Sequence, residues 1–232
     1  MERLPQTPDT YDAIYRSGGN TGTYHLPYQR TRYYALFKRV LQALKVHQAQ
    51  SVLEVGCGTG AMADMIVNRT RMDYRGFDFS SVAVEKAKEL TGQNELFSVA
   101  NALELESYKS PTGYDSIVCT EVLEHINEDR EVLALWPAGS WCVLSVPNFD
   151  SNTHVRFFQD EEQVRKRYQD LVSIERIERV KVPRLPDNHW RKQIEALWAQ
   201  RRSTSKILEL MGFGEFDEVG GWFLFTGTIR KQ

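Results

Sequence analysis

Cysteine is scarce in this chain, three in 232 residues, and no two of the three stand in a Cys-x-x-Cys spacing. An odd count without paired spacing excludes a disulfide framework and a structural zinc site. Cys57, Cys119 and Cys142 each lie in or beside an apolar run, so buried, reduced thiols and a cytoplasmic location are expected. No apolar run approaches the roughly 18 residues of a membrane span, and no apolar leader segment follows the first residues, so neither a spanning helix nor export by a signal peptide is expected. There is no internal repeat, no low-complexity tract and no strong charge of one sign: 29 Lys and Arg oppose 31 Asp and Glu. That balance argues against a dedicated nucleic-acid-binding module, which needs a continuous basic surface.

The small net charge of −2 is unevenly spread. Residues 1–50 hold seven basic and three acidic side chains, 51–150 hold seven and sixteen, and 151–232 hold fifteen and twelve. The acidic middle is the expected ligand-binding core, and the basic flanks are what would cover it. One domain fits the length, with 1–50 as lid and first helix, 51–150 as core, and 151–232 as a substrate-covering insertion and C-terminal hairpin.

The core is organised around Ser51-Val-Leu-Glu-Val-Gly-Cys-Gly-Thr-Gly60. An apolar, β-branched run stops at three alternate glycines, Gly56, Gly58 and Gly60, and a helical segment from Ala61 to Val67 follows. Strand, tight turn and helix in that order make a nucleotide-binding element, with the turn's N–H groups aimed at the ligand. Gly-x-Gly alone is weak, and Ala61 even completes a dinucleotide fingerprint. Glu54 discriminates, because a carboxylate beside the turn suits a ligand carrying an ammonium and a sulfonium better than one carrying a pyrophosphate.

Taken in order, residues 1–25 read as a Gly- and Thr-rich loop whose Gly18 to His25 portion would close over a ligand, and Pro27 to Lys45 as an amphipathic helix. Asp73 to Asp78 is a second strand ending in an acid placed to accept ribose hydroxyls; Ser80 or Ser81 caps a helix from Val82 to Leu90. Glu95 to Ala100 is a third strand, Ile117 to Cys119 a fourth and Trp141 to Val146 a fifth. Beyond Phe149, helices are expected over Phe158 to Leu171 and His189 to Met211, an extended run over Ile174 to Val182, and a terminal hairpin pairing Phe216 to Val219 with Trp222 to Ile229. A helical start near Glu121 would put Glu121, Glu124 and His125 on one face. The strand and helix alternation gives an α/β, doubly wound, mostly parallel sheet.

Glu54 to Gly60, Asp78, Asn101-Ala102 and the Tyr114 to Ile126 stretch together resemble the class I S-adenosylmethionine-dependent methyltransferases. The resemblance implies a Rossmann-like seven-stranded sheet with an antiparallel last strand, S-adenosylmethionine as cofactor, and cofactor contacts from Glu54, Gly56, Cys57, Gly58, Gly60, Asp78, Phe79, Asn101, Ala102 and Thr120. Asn101 departs from the Asp common at that place in the family, although its amide oxygen accepts the same hydrogen bond. The Glu121-x-x-Glu124-His125 pattern is similar to that of ubiquinone-biosynthesis O-methyltransferases and of small-RNA 3′-terminal 2′-O-methyltransferases, where a further histidine follows a Pro-Asn, as His154 follows Pro147-Asn148 here. Two chemistries stay open beside a purely structural role for these residues. Glu121, Glu124, His125 and His154 hold Mg²⁺ or another divalent ion that activates a hydroxyl, or His125 acts as a base without metal. The expected partner is a small hydroxylated acceptor; an RNA ribose acceptor and a non-catalytic cofactor-binding protein are the alternatives.

Overall fold

The computed structural model describes residues 3–18, 24, 26–110, 113–181 and 220–231. Its centre is a seven-stranded sheet in the order β3-β2-β1-β4-β5-β7-β6, formed by β1 (Ser51–Val55), β2 (Asp73–Asp78), β3 (Phe97–Val99), β4 (Ser116–Cys119), β5 (Trp141–Pro147), β6 (Val172–Lys181) and β7 (Gly221–Ile229). The first five strands pair in parallel, and β7 runs antiparallel to both β5 and β6. The expected doubly wound sheet with an antiparallel last strand is therefore what forms. β5 is buried along its whole length, as a strand covered on both faces must be.

Side chains alternate across the sheet and build two cores. On one face Val52, Val118 and Val143 pack with α2 (Tyr34–His47), α3 (Ala61–Arg69) and α4 (Ser81–Thr91); on the other Leu53, Ile117 and Leu144 pack with α5 (Asp129–Ala134) and α6 (Glu161–Tyr168). The chain reverses its winding between β1 and β4, which are hydrogen-bonded neighbours, so the loops after Val55 and Cys119 part at the C-terminal edge. Ligands bind at such a reversal in open α/β sheets.

Four local expectations need correction. Residues 1–25 contain a helix, α1 (Pro8–Arg16), started by Thr7, whose hydroxyl accepts the Thr10 N–H, and by Pro8 in the first turn. Its Tyr11 and Tyr15, four residues apart, form one face. The Pro27 to Lys45 helix is a 3-10 turn (Tyr28–Arg30) followed by α2, and the third strand starts at Phe97 because Asn94–Leu96 is a 3-10 turn. The helix over Phe158 to Leu171 shortens to α6, capped by the Asp160 carboxylate. The expected elements at His189 to Met211 and Phe216 to Val219 lie outside the described residues, as does most of Gly18 to His25. The described partners of the Trp222 to Ile229 segment are β5 and β6.

Candidate active site

The glycine turn is tightly built. Gly56 and Cys57 both donate their N–H to the Phe77 carbonyl (2.8 and 2.9 Å), Gly58 N–H donates to the Asp78 carboxylate (2.9 Å), and Gly60 N–H donates to the Cys57 carbonyl (3.0 Å). The sequence leads one to expect these amides to face a ligand; the structure commits all four within the protein. A turn whose N–H groups are spent suits a ligand without phosphate. Gly56 has φ +72°, and a Cβ there would meet Val122 at 2.3 Å; Gly60 has φ +81°, and its Cβ would meet the Ala87 backbone of α4 at 2.9 Å. Gly60 is thus a packing residue that lines neither cavity described below.

Two adjoining cavities open at the sheet edge. The larger, about 520 Å³, is lined by Asp78, Phe79, Asn101 and Ala102 and bounded by Ile126. The smaller, about 160 Å³, is lined by Glu54, Cys57, Gly58, Thr120, Glu121 and His154, among others. Gly56, Glu121, His125, Tyr11 and Tyr15 line both, so α1 is a wall common to the two. Asp12 of α1 accepts the Ser80 hydroxyl and the Val82 N–H, and Lys86 donates to the Tyr15 carbonyl, which pins α1 on α4. These α1 residues were missed because the Gly- and Thr-rich run that follows dominated the reading; the Thr-Pro start and the Tyr11/Tyr15 spacing were the signal.

Burial sets the electrostatics. Asp78 is held by the Gly58 and Ser80 N–H groups, yet desolvation still pushes its carboxyl up to about 6. Glu54, buried beside it and accepting the Tyr74 hydroxyl at 2.5 Å, is pushed up to about 8 by desolvation. Asn101 is exposed at the rim of the larger cavity, and its Oδ1 accepts the Leu103 N–H (3.0 Å), leaving a second lone pair for a ligand donor.

The Glu121 to His125 stretch is not the helix expected. Glu121 takes left-handed φ +59°, uncommon for a residue with a Cβ, while its N–H is held by Ser145 Oγ (3.1 Å); only Leu123–His125 make a 3-10 turn. The turn is stitched to the loop after β5: Val155 N–H donates to the Glu124 carbonyl (2.7 Å), and the Arg156 guanidinium donates to the carbonyls of Leu123, Ile126 and Asn127. That stitching brings Glu124, His125 and His154 together, with one ligand atom from each within 4.8 Å of the others. Glu121 lies outside this trio. It faces Glu124, and the pair is coupled: burial raises Glu121 to about 7 and Glu124 well above the carboxylate range, with the Glu121 charge adding to the Glu124 shift.

The imidazoles are oriented by the backbone. His125 Nδ1 meets the Thr153 carbonyl at 2.7 Å and His154 Nδ1 meets the Phe149 carbonyl at 3.1 Å. A carbonyl only accepts, so each Nδ1 carries the proton. Burial lowers both histidines to about 4, which leaves them neutral with the Nε2 lone pair free. Glu121 Oε1 and both Glu124 carboxylate oxygens are buried with no well-aligned donor, and the groups that bear on them are each other and the Trp222 indole. Buried acceptors without donors are costly, and a cation among them removes that cost.

The family described as "Methyltransferase domain" matches residues 28–204. The ubiquinone biosynthesis O-methyltransferase of Paracidovorax citrulli (strain AAC00-1) is 28% identical over 108 residues, covering 44% of this chain and 45% of that protein. The match thus spans about half the length of such curated relatives. Among solved structures, the [4+2]-cyclase SpnF superposes with TM-score 0.63 at 16% identity over all of both chains. The N-methyltransferase NodS from Bradyrhizobium japonicum WM9, in complex with S-adenosyl-L-homocysteine, gives 0.61 at 14% identity, covering 94% of this chain and 98% of that one. At such identities these likenesses show the fold.

Proposed function

Because the chain belongs to the methyltransferase-domain family, we propose that it moves the methyl group of S-adenosylmethionine to a hydroxyl of a small acceptor that carries two adjacent hydroxyls. Glu124, His125 and His154, with Glu121 beside them, would hold a divalent ion such as Mg²⁺. Three buried carboxylate oxygens without a well-aligned donor, facing two imidazoles turned by backbone carbonyls to offer Nε2, carry this reading. Carboxylate and imidazole donors suit a hard or borderline cation. A divalent ion there would bind the adjacent acceptor oxygens and lower the pKa of one.

The chain's own residues align and seclude the reactants. Asp78 and Asn101 offer acceptors to the ribose and adenine, Phe79 and Ala102 wall the base, and Glu54 faces the positively charged end of the cofactor. Tyr11 and Tyr15 close the site against water, and burial keeps their hydroxyls protonated. His125 acting alone as a base fits less well, because an imidazole lowered to about 4 holds a hydroxyl proton poorly at neutral pH. A terminal ribose also has adjacent hydroxyls, but a chamber of about 160 Å³ under α1 suits a single ring better than a polymer end. A non-catalytic cofactor-binding protein has no use for these buried carboxylates.

The test is methyl transfer to a catechol-type acceptor with and without excess chelator. Turnover lost with chelator and restored by Mg²⁺, at unchanged S-adenosylhomocysteine affinity, is the expected outcome. Full turnover in chelator overturns the metal reading, and calorimetry showing a response to NAD but none to S-adenosylhomocysteine overturns the cofactor reading.

A further inference from the structure

Among the described residues the smaller cavity is lined by one permanently charged cation, Arg32, whose hydrogen-bond donors the proposed chemistry leaves unused. Its guanidinium lies 5.5 Å from the Tyr33 ring centroid, 5.4 Å from Phe149 and 5.9 Å from Trp222. Its Nε is buried without a hydrogen-bond partner, and among the described residues Arg32 forms no ion pair. Ring faces attract a cation but supply neither an acceptor for its N–H groups nor a neutralising charge. The proposed metal site lies one ring away: Phe149, which faces Arg32, is 5.3 Å by centroids from His154, and the Arg32 charge acts on Glu121. Five more aromatic side chains line the cavity, Tyr11, Tyr15, Tyr24, Tyr33 and Phe37.

We propose that Arg32 is the acceptor-recognition residue and that the acceptor is a small aromatic diol bearing a carboxylate, its hydroxyls directed to the Glu124, His125 and His154 cluster and its carboxylate to Arg32. The aromatic walls take the ring by offset or edge contact, and the planar guanidinium fork takes the carboxylate through two N–H donors. A neutral diol would leave Arg32 with its donors unspent, so the residue acts as a selector for charge. This rests on the methyl-transfer reading above and adds the charge and ring character of the substrate.

The experiment compares 3,4-dihydroxybenzoate with 3,4-dihydroxybenzamide, which differ in charge but barely in shape, as acceptors for the full chain with S-adenosylmethionine and Mg²⁺. The wild type should favour the benzoate in KM by about tenfold or more, the equivalent of one good charge-assisted contact. Arg32→Met should raise the benzoate KM by that factor and leave the benzamide KM within about twofold, and Arg32→Lys should restore part of the preference. S-adenosylhomocysteine affinity of the variants, unchanged, shows that the fold and cofactor site are intact. Both diols methylated with no preference, or with the same preference in Arg32→Met, would overturn the role of Arg32 while the methyl-transfer reading stands. Neither diol methylated nor bound by the S-adenosylhomocysteine complex would overturn both.

Discussion

Replacing Glu54 by Gln should flatten the pH dependence of the apoprotein's stability between pH 6.5 and 8. Glu54 titrates near 8 in the fold against an ordinary glutamate value of 4.5. Its folded pKa is raised, so the unfolded chain gives up the proton first, and stability falls as pH climbs from the unfolded to the folded value. Across the window from 6.5 to 8 this group alone costs about 1.5 kcal/mol, each unit of pKa difference being worth about 1.4 kcal/mol. For a chain of this size that is a drop of about 3–6 °C in thermal midpoint. Glutamine keeps an oxygen for the Tyr74 hydroxyl and cannot ionise, so its midpoint should fall by that much less over the same window. Glu121 and Glu124 are raised in the same sense, while His125 and His154 are lowered and act in the opposite sense as pH falls below 6.5; the comparison of variant with wild type cancels all four. Thermal melts of the two proteins at matched pH decide it. Parallel pH profiles would refute the claim that a buried, protonated Glu54 sits beside the glycine turn.

Asp78→Ala should weaken S-adenosylhomocysteine binding by about 1–3 kcal/mol in calorimetry, the range for losing hydrogen bonds to a charged acceptor; unchanged affinity would remove Asp78 from the cofactor site. Asp129 is fully buried, accepts two N–H bonds from Arg167 (2.8 and 2.5 Å) and the Tyr168 hydroxyl (2.6 Å), and pairs with Arg156 at 3.4 Å. Asp129→Ala strands those cations and should cost about 3–5 kcal/mol in denaturant unfolding; a loss under about 1 kcal/mol would show that this cluster does not hold α5 on α6.

The sheet was legible because parallel strands buried on both faces read as short apolar runs, and because the glycines after Val55 punctuate the chain where β1 ends. The separation between Asp78 and Gly56 reflects the same unit, one strand, one turn and one helix long. The Glu121 to His125 stretch read as a helix because Glu, Val, Leu, Glu and His favour one locally. Tertiary hydrogen bonds overrode that preference: Ser145 takes the Glu121 N–H and Arg156 takes three carbonyls of the turn, partners 24 and about 30 residues away that no local pattern encodes. His154 could be named from the resemblance, but its orientation depends on the Phe149 carbonyl, a main-chain group without a sequence signal. Arg32 looked like one more basic residue on an amphipathic segment, because its ring of aromatics comes from three separate elements, including β7.

Titration of Mn²⁺ into the S-adenosylhomocysteine complex at pH 7, repeated in two buffers of different ionisation enthalpy, tests the central claim most directly. Burial and the Glu121 charge raise the Glu124 carboxyl well above the carboxylate range, so a cation bound there favours release of its proton. The account predicts a single site, binding heats that differ between the two buffers because protons are released, and loss of binding in Glu124→Gln and in His154→Ala with cofactor affinity preserved. No Mn²⁺ binding, or binding that neither variant weakens, would contradict it.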